Sequence, residues 1–116
     1  MDIGGFCRRL HAAMLAEQIF PVGGIRLRAY RADYAIVADG LPQNDFIAMT
    51  LSVAEGRRTE DLAAAGERLF AAGCEALSAP LSTPYFAFSL EIRTIDPVLS
   101  WKRTPIHERL SSGTGI

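Results

Sequence analysis

The stretch DFIAMTLSV at 45–53, a helical period after it, and the alternating run YFAFSLEIRTI at 85–95 leave this chain few choices of fold. An apolar run without alternation suits a strand covered on both faces, which predicts a central strand over 45–53. From Thr59 onward Leu62, Ala65, Leu69, Phe70, Gly73 and Leu77 recur at three- and four-residue steps, with Glu60 and Asp61 favourable at the positive end of the dipole. A helix is therefore predicted over about 59–79, stopped near Ala79-Pro80. Phe86, Phe88, Leu90 and Ile92 then alternate with Tyr85, Ala87, Ser89, Glu91 and Arg93, the pattern of a strand with one apolar face. Strand, helix and strand make a βαβ unit, and its two strands must be parallel because the helix returns the chain to the same end.

The first half repeats only part of that unit. Ile3, Phe6, Cys7, Leu10 and Met14 mark a helix over about 2–18, opposite an arc of Arg8, Arg9, His11 and Glu17, and Asp2 is placed to cap its start. A Pro21–Gly24 turn follows, then a strand over 25–32 and a short segment Tyr34–Ala38 before the hairpin signal Asp39-Gly40. No strand precedes the first helix, so the strand at 25–32 lacks the partner that its counterpart has. LHAA and LFAA at matching places in the two helices hint at a duplicated βαβ unit. The expected fold is α/β in the α+β sense, a sandwich of two helices on one face of a mixed sheet, lacking its first strand.

At 116 residues one domain is expected, spanning 1–110, with Ser-Ser-Gly-Thr-Gly making 111–116 a flexible tail. A formal charge of -1 removes the basic excess that nucleic-acid binding needs. No apolar stretch reaches the ~20 residues of a membrane span, and no basic leader follows Met1. Cys7 and Cys74 lack metal-ligand or CxxC spacing and read as reduced thiols of a soluble, cytoplasmic protein.

Chemistry enters with IFPVGGIRLRAYRADY at 19–34. On an extended segment Ile25, Leu27 and Ala29 face one way and Arg26, Arg28 and Tyr30 the other. An apolar face for a core thus backs a row of guanidinium groups that can receive a small acidic ligand; a solvated strand has the same pattern. His11 reads as a surface residue, Glu67, Arg68 and Glu75 as a solvated helix face, and Trp101 as an apolar anchor at a subunit boundary.

Taken together and in order, IFPVGGIR, ADG, MTLSVAEGRR, AGERLF, FSLEI and DPVLSWKRTPIH resemble the 5-carboxymethyl-2-hydroxymuconate isomerase family of the tautomerase superfamily, over about residues 2–110. The resemblance implies two βαβ halves, a homotrimer, no cofactor and no metal, and a base that is an amino-terminal proline at the head of a first strand. Neither that proline nor that strand is in the sequence, which suggests a start assigned too far downstream, a shortened chain or a true pseudoenzyme. The Arg of the family's GIR falls on Arg26, and the Arg after the Gly that follows the central strand falls on Arg57. Both are implied to bind and polarise the substrate, with Arg28 as a secondary substrate contact and with solvated roles still open for all three. His107 matches a family histidine near the carboxyl end and is expected to serve packing or a subunit contact.

The expected function is proton transfer within a small unsaturated 2-hydroxy di- or tricarboxylic acid in aromatic-acid breakdown, impaired here because the proline base is absent. The alternative is a non-catalytic homo-oligomer that keeps an anion-binding cavity.

Overall fold

The structure, a computed structural model, describes residues 1–111. Asp2 opens helix α1 (Ile3–Ala16) as expected: its Oδ1 accepts the Gly5 N–H at 2.8 Å, satisfying one of the free donors of the first turn. A 3₁₀ turn at Val22–Gly24 follows, then an irregular stretch to strand β1 (Asp45–Ala54). Helix α2 (Thr59–Ala76), a single turn α3 (Ser78–Leu81) and strand β2 (Phe86–Ile95) come next. The helix predicted as far as residue 79 breaks at Leu77, whose N–H still bonds the Gly73 carbonyl. After a 3₁₀ turn at Pro97–Leu99 the described residues close with helix α4 (Pro105–Ser111). The expected tail, beyond Ser111, lies outside the described residues.

Strands β1 and β2 pair in parallel without a break from Asp45 opposite Phe86 to Ala54 opposite Ile95, so the βαβ unit is complete. Ile47, Met49, Leu51 and Val53 of β1 share one face with Phe86, Phe88, Leu90 and Ile92 of β2, and both long helices pack on that face. Phe6 and Leu10 of α1 meet Leu77, while Met14 and Phe20 meet Leu62, Ala65 and Leu69. The helices approach the sheet closely at Gly73, where a Cβ would stand 2.5 Å from the Phe88 ring. That ring stacks on Phe70 at 5.0 Å and takes Phe6 edge-on at 6.1 Å.

Three expectations fail in the single chain. Residues 25–28 alternate in burial and 29–32 are all exposed, but the segment joins no ladder, so the described sheet is a parallel pair and not a mixed sheet. No strand of the described chain lies along their edge, and backbone pairing cannot form without one. Strand β1 is covered on one face only: Phe46, Ala48, Thr50 and Ser52 are exposed, because apolar composition permits a second cover and cannot supply it. The Asp39-Gly40 hairpin signal joins no paired strands; it becomes a turn from Val37 to Gly40, with Ala38 at φ 52° and Gly40 at φ 82°. Asn44 ties this turn down by donating its Nδ2 to the Val37 carbonyl and the Asp39 carboxylate.

One further departure concerns charge. Glu17, expected on the solvated arc, is buried at the end of α1, and Arg68 of α2 grips both its carboxylate oxygens at 2.7 Å. The Arg68 hydrogen bonds hold the Glu17 carboxyl below its ordinary range against the opposing effect of desolvation. Glu67, Arg68 and Glu75 are exposed, as expected of a solvated face, while Arg68 also holds Glu17 and Glu75 meets Arg9 at 3.3 Å.

Candidate active site

Arg26 follows the Val22–Gly24 turn on backbone that is already extended at Ile25 (φ −78°, ψ 119°). Ile25 and Leu27 pack half-buried against the core while Arg26, Arg28 and Tyr30 stand outward, as the alternation predicted. Arg28 and Tyr30 meet on that outer side: Nε donates to the phenol oxygen at 2.8 Å, and the guanidinium lies 5.7 Å from the ring centre. Arg26 reaches instead to the far end of the chain, donating from Nη2 to Thr104 Oγ1 at 3.4 Å.

Arg57 lies beyond β1, after Gly56, whose φ of 109° is a backbone state that only glycine adopts freely. It turns inward, with Nε donating to the Ile19 carbonyl at 2.8 Å and Nη1 to the Ala54 carbonyl at 3.1 Å, beside the Phe20 ring. These bonds stitch the exit of α1 to the end of β1 and leave Nη2 for other acceptors. Its neighbour Arg58 behaves differently: it points to solvent and pairs with Asp61 at 3.1 Å, which lowers the pKa of the Asp61 carboxyl.

A chemical distinction separates the expected site arginines from four other arginines of the chain. Arg9, Arg58, Arg68 and Arg93 each hold a carboxylate, of Glu75, Asp61, Glu17 and Glu91 respectively. Arg26, Arg28 and Arg57 are held by a hydroxyl, a phenol and two carbonyls. Neutral oxygens orient a guanidinium without cancelling its charge, so these three keep their attraction for an incoming carboxylate. No direct contact joins Arg26 to Arg57 within the described chain. Two surface hollows, of about 220 and 530 Å³, lie elsewhere, one between α2 and β2 at Phe70 and Leu90, the other beside Arg8 and Leu77.

The carboxyl-terminal segment supplies what the sequence reading missed. Thr104 caps α4 by accepting the His107 N–H at 3.1 Å, and Pro105 takes the first helical position, where its missing N–H costs nothing. The Thr-Pro pair before IHERL carried that signal. His107 is half-buried against the Val22–Gly24 turn, so close that a Cβ on Gly23 would meet the His107 Cα at 2.5 Å. His11 is exposed, as expected, and Trp101 is 84% exposed. Among the described residues no three His, Cys, Asp or Glu side chains are grouped to hold a metal ion, and no helix is long and apolar enough to cross a membrane.

Comparison with known proteins agrees with this architecture. The family model described as 5-carboxymethyl-2-hydroxymuconate isomerase matches residues 1–110. A 5-carboxymethyl-2-hydroxymuconate Delta-isomerase of Escherichia coli is 32% identical over 106 residues, which cover 91% of this chain and 84% of the relative. The crystal structure of a 5-carboxymethyl-2-hydroxymuconate isomerase from Deinococcus radiodurans R1 superposes with a TM-score of 0.86 at 34% identity, covering 93% of this chain and 82% of that one. A second crystal structure, of a 5-carboxymethyl-2-hydroxymuconate delta-isomerase, gives 0.82 at 28% identity with the same coverage. With its βαβ unit, its two helices on one sheet face and a match over nearly its whole length, the chain belongs to the 5-carboxymethyl-2-hydroxymuconate isomerase family.

Proposed function

We propose that this protein moves a proton within a small unsaturated 2-hydroxy di- or tricarboxylic acid of the 5-carboxymethyl-2-hydroxymuconate type, as a cytoplasmic homotrimer serving the breakdown of aromatic acids. The observation that carries the reading is the set of arginines held by neutral oxygens in a chain of this isomerase family. Arg26 binds a substrate carboxylate through its free guanidinium edge, Arg57 offers Nη2 to a second, and Arg28 assists from the same outer row. Held in place, the cations stabilise the dienolate formed when the 2-hydroxyl proton leaves.

The base is the remaining requirement. An amine of ordinary basicity is protonated at neutral pH, and cations and burial around it must lower its pKa before it can accept a proton. The resemblance gives that part to an amino-terminal proline, whereas the 116-residue chain made as it stands ends in the primary amine of Met1, at the head of α1. Its turnover should then be about 10² to 10⁴ lower than that of a version extended by a proline-led strand of the family's type.

The shape of the single chain supports assembly. Its radius of gyration is 16.4 Å, against about 13 Å for a compact chain of this length. Tyr30, Tyr34, Ile36, Val98, Leu99 and Trp101 stand more than two-thirds exposed on the projecting segments. Apolar surface of that extent is what copies of a chain cover in one another.

The ultraviolet change of a hydroxymuconate substrate tests the function on both versions, and light scattering tests the trimer. Recovery of turnover in the extended form, rising with pH as the amine deprotonates, supports the isomerase. Full activity in the 116-residue chain sinks the assignment of the base. The capture of Arg57 by backbone carbonyls favours one other reading, a non-catalytic homo-oligomer with an anion site; carboxylate binding without turnover in the extended form would establish it.

A further inference from the structure

A single hydroxyl oxygen, Thr104 Oγ1, receives two donors from distant parts of the chain. The His107 N–H bonds it at 3.1 Å and thereby caps α4, and Arg26 Nη2 approaches it at 3.4 Å from 78 residues away. A threonine oxygen accepts with both lone pairs and keeps its own proton to donate, so both contacts are satisfied at once. Its place is fixed by backbone and not by a flexible side chain: α4 lies on the Val22–Gly24 turn, where Gly23 admits no Cβ beside His107. That same turn sets the direction in which Arg26 leaves.

We infer that Thr104 is the positioning residue for Arg26, so that docking of the carboxyl-terminal helix selects the guanidinium orientation that receives a substrate carboxylate. The inference rests on the carboxylate-binding reading of Arg26. An exposed arginine samples many rotamers, and a fixed acceptor at one Nη removes much of that freedom before the ligand arrives. Threonine suits the task because an Asp or Glu in its place would hold Arg26 as firmly while neutralising it, as Glu17 does to Arg68. It also gives the segment at 101–111 a part in the chemistry beyond subunit packing.

The test is calorimetric titration of the 116-residue protein with muconate, a stable unsaturated dicarboxylate, over a double-mutant cycle. Arg26→Ala should weaken binding about tenfold or more, and Thr104→Val about fivefold, the size of one lost hydrogen bond. Thr104→Ser should bind within about twofold of the parent, and Arg26→Ala with Thr104→Val no more weakly than Arg26→Ala alone. If Arg26→Ala weakens binding and Thr104→Val does not, or if the two losses multiply, Thr104 does not act through Arg26 and the inference falls while the role of Arg26 stands. If Arg26→Ala binds as tightly as the parent, the carboxylate reading of Arg26 has failed and takes the inference with it. Should Thr104→Val fail to fold, nitrogen NMR of the unmodified protein decides: separate Nη signals for Arg26 report a guanidinium held at one end, and a single averaged signal overturns the proposal.

Discussion

Residues 25–28 and strand β2 obey the same alternation and reach different ends. In both, apolar side chains turn to the core and polar ones turn outward, yet β2 joins a ten-residue parallel ladder and 25–28 joins none. The difference lies in what stands beside them. Strand β2 has β1, delivered by the α2 crossover to the right place and direction; 25–28 has a core below it and no strand at its edge. Side-chain alternation therefore reports which face is buried, and a ladder reports a neighbour. The two halves nevertheless form one core, through the Arg68–Glu17 pair, the Arg57–Ile19 bond and the packing of Met14 and Phe20 on Leu62, Ala65 and Leu69.

Hydrogen exchange offers the largest test of that contrast. The ladder amides shared by β1 and β2 should be protected about 10³-fold or more relative to those of 25–30, since they open only with much of the domain. Equal protection would mean that another strand, from a second copy or an added segment, pairs with 25–30. Core truncation should separate the halves next. Leu69→Ala, at a site 2% exposed between α2 and the sheet, should cost about 2–5 kcal/mol, whereas half-buried Leu27→Ala should cost about 1 kcal/mol, both read from urea unfolding.

Two glycines sharpen the comparison. Gly73→Ala drives a methyl into the Phe88 ring and should destabilise by about 1–2 kcal/mol even after the helix-propensity gain, because both neighbours are packed. Gly24→Ala meets nothing within 4 Å and should leave the unfolding midpoint unchanged or slightly raised. The remaining test is electrostatic and joins the halves. The folded pKa of Glu17 is lowered by its bonds from Arg68, so its contribution is fully present above the ordinary glutamate value of about 4.3 and is lost as pH falls through the folded value. Glu17→Gln should therefore lower the urea midpoint at neutral pH and flatten its acid dependence below about pH 5. An acid limb as steep as the parent's would show that other carboxylates carry it.

Much of this was open to a reader of the sequence. Helical periods located α1 and α2, Asp2 announced its cap, and the run from 45 to 95 specified a parallel βαβ unit, because each signal is local and rests on spacing alone. Resemblance in six short stretches pointed to the isomerase family that the whole-chain comparisons show. The row Arg26, Arg28 and Tyr30 was visible as an outward face. Less visible was α4: Thr104-Pro105 is a good helix start, but the helix is too short for its period to stand out.

What the tertiary structure alone decided concerns partners. Resemblance placed Arg57 after the Gly that follows β1, and only the return of α1 brought the Ile19 carbonyl to its Nε. Spacing put Glu17 on a polar arc, and only the α1–α2 packing buried it under Arg68. The contact of Arg26 with Thr104 spans 78 residues and has no trace in either local pattern. Periodicity is written along the chain, so sequence determines which way each side chain faces; hydrogen bonds and ion pairs between distant segments depend on how the elements dock, and that is settled only when the core closes.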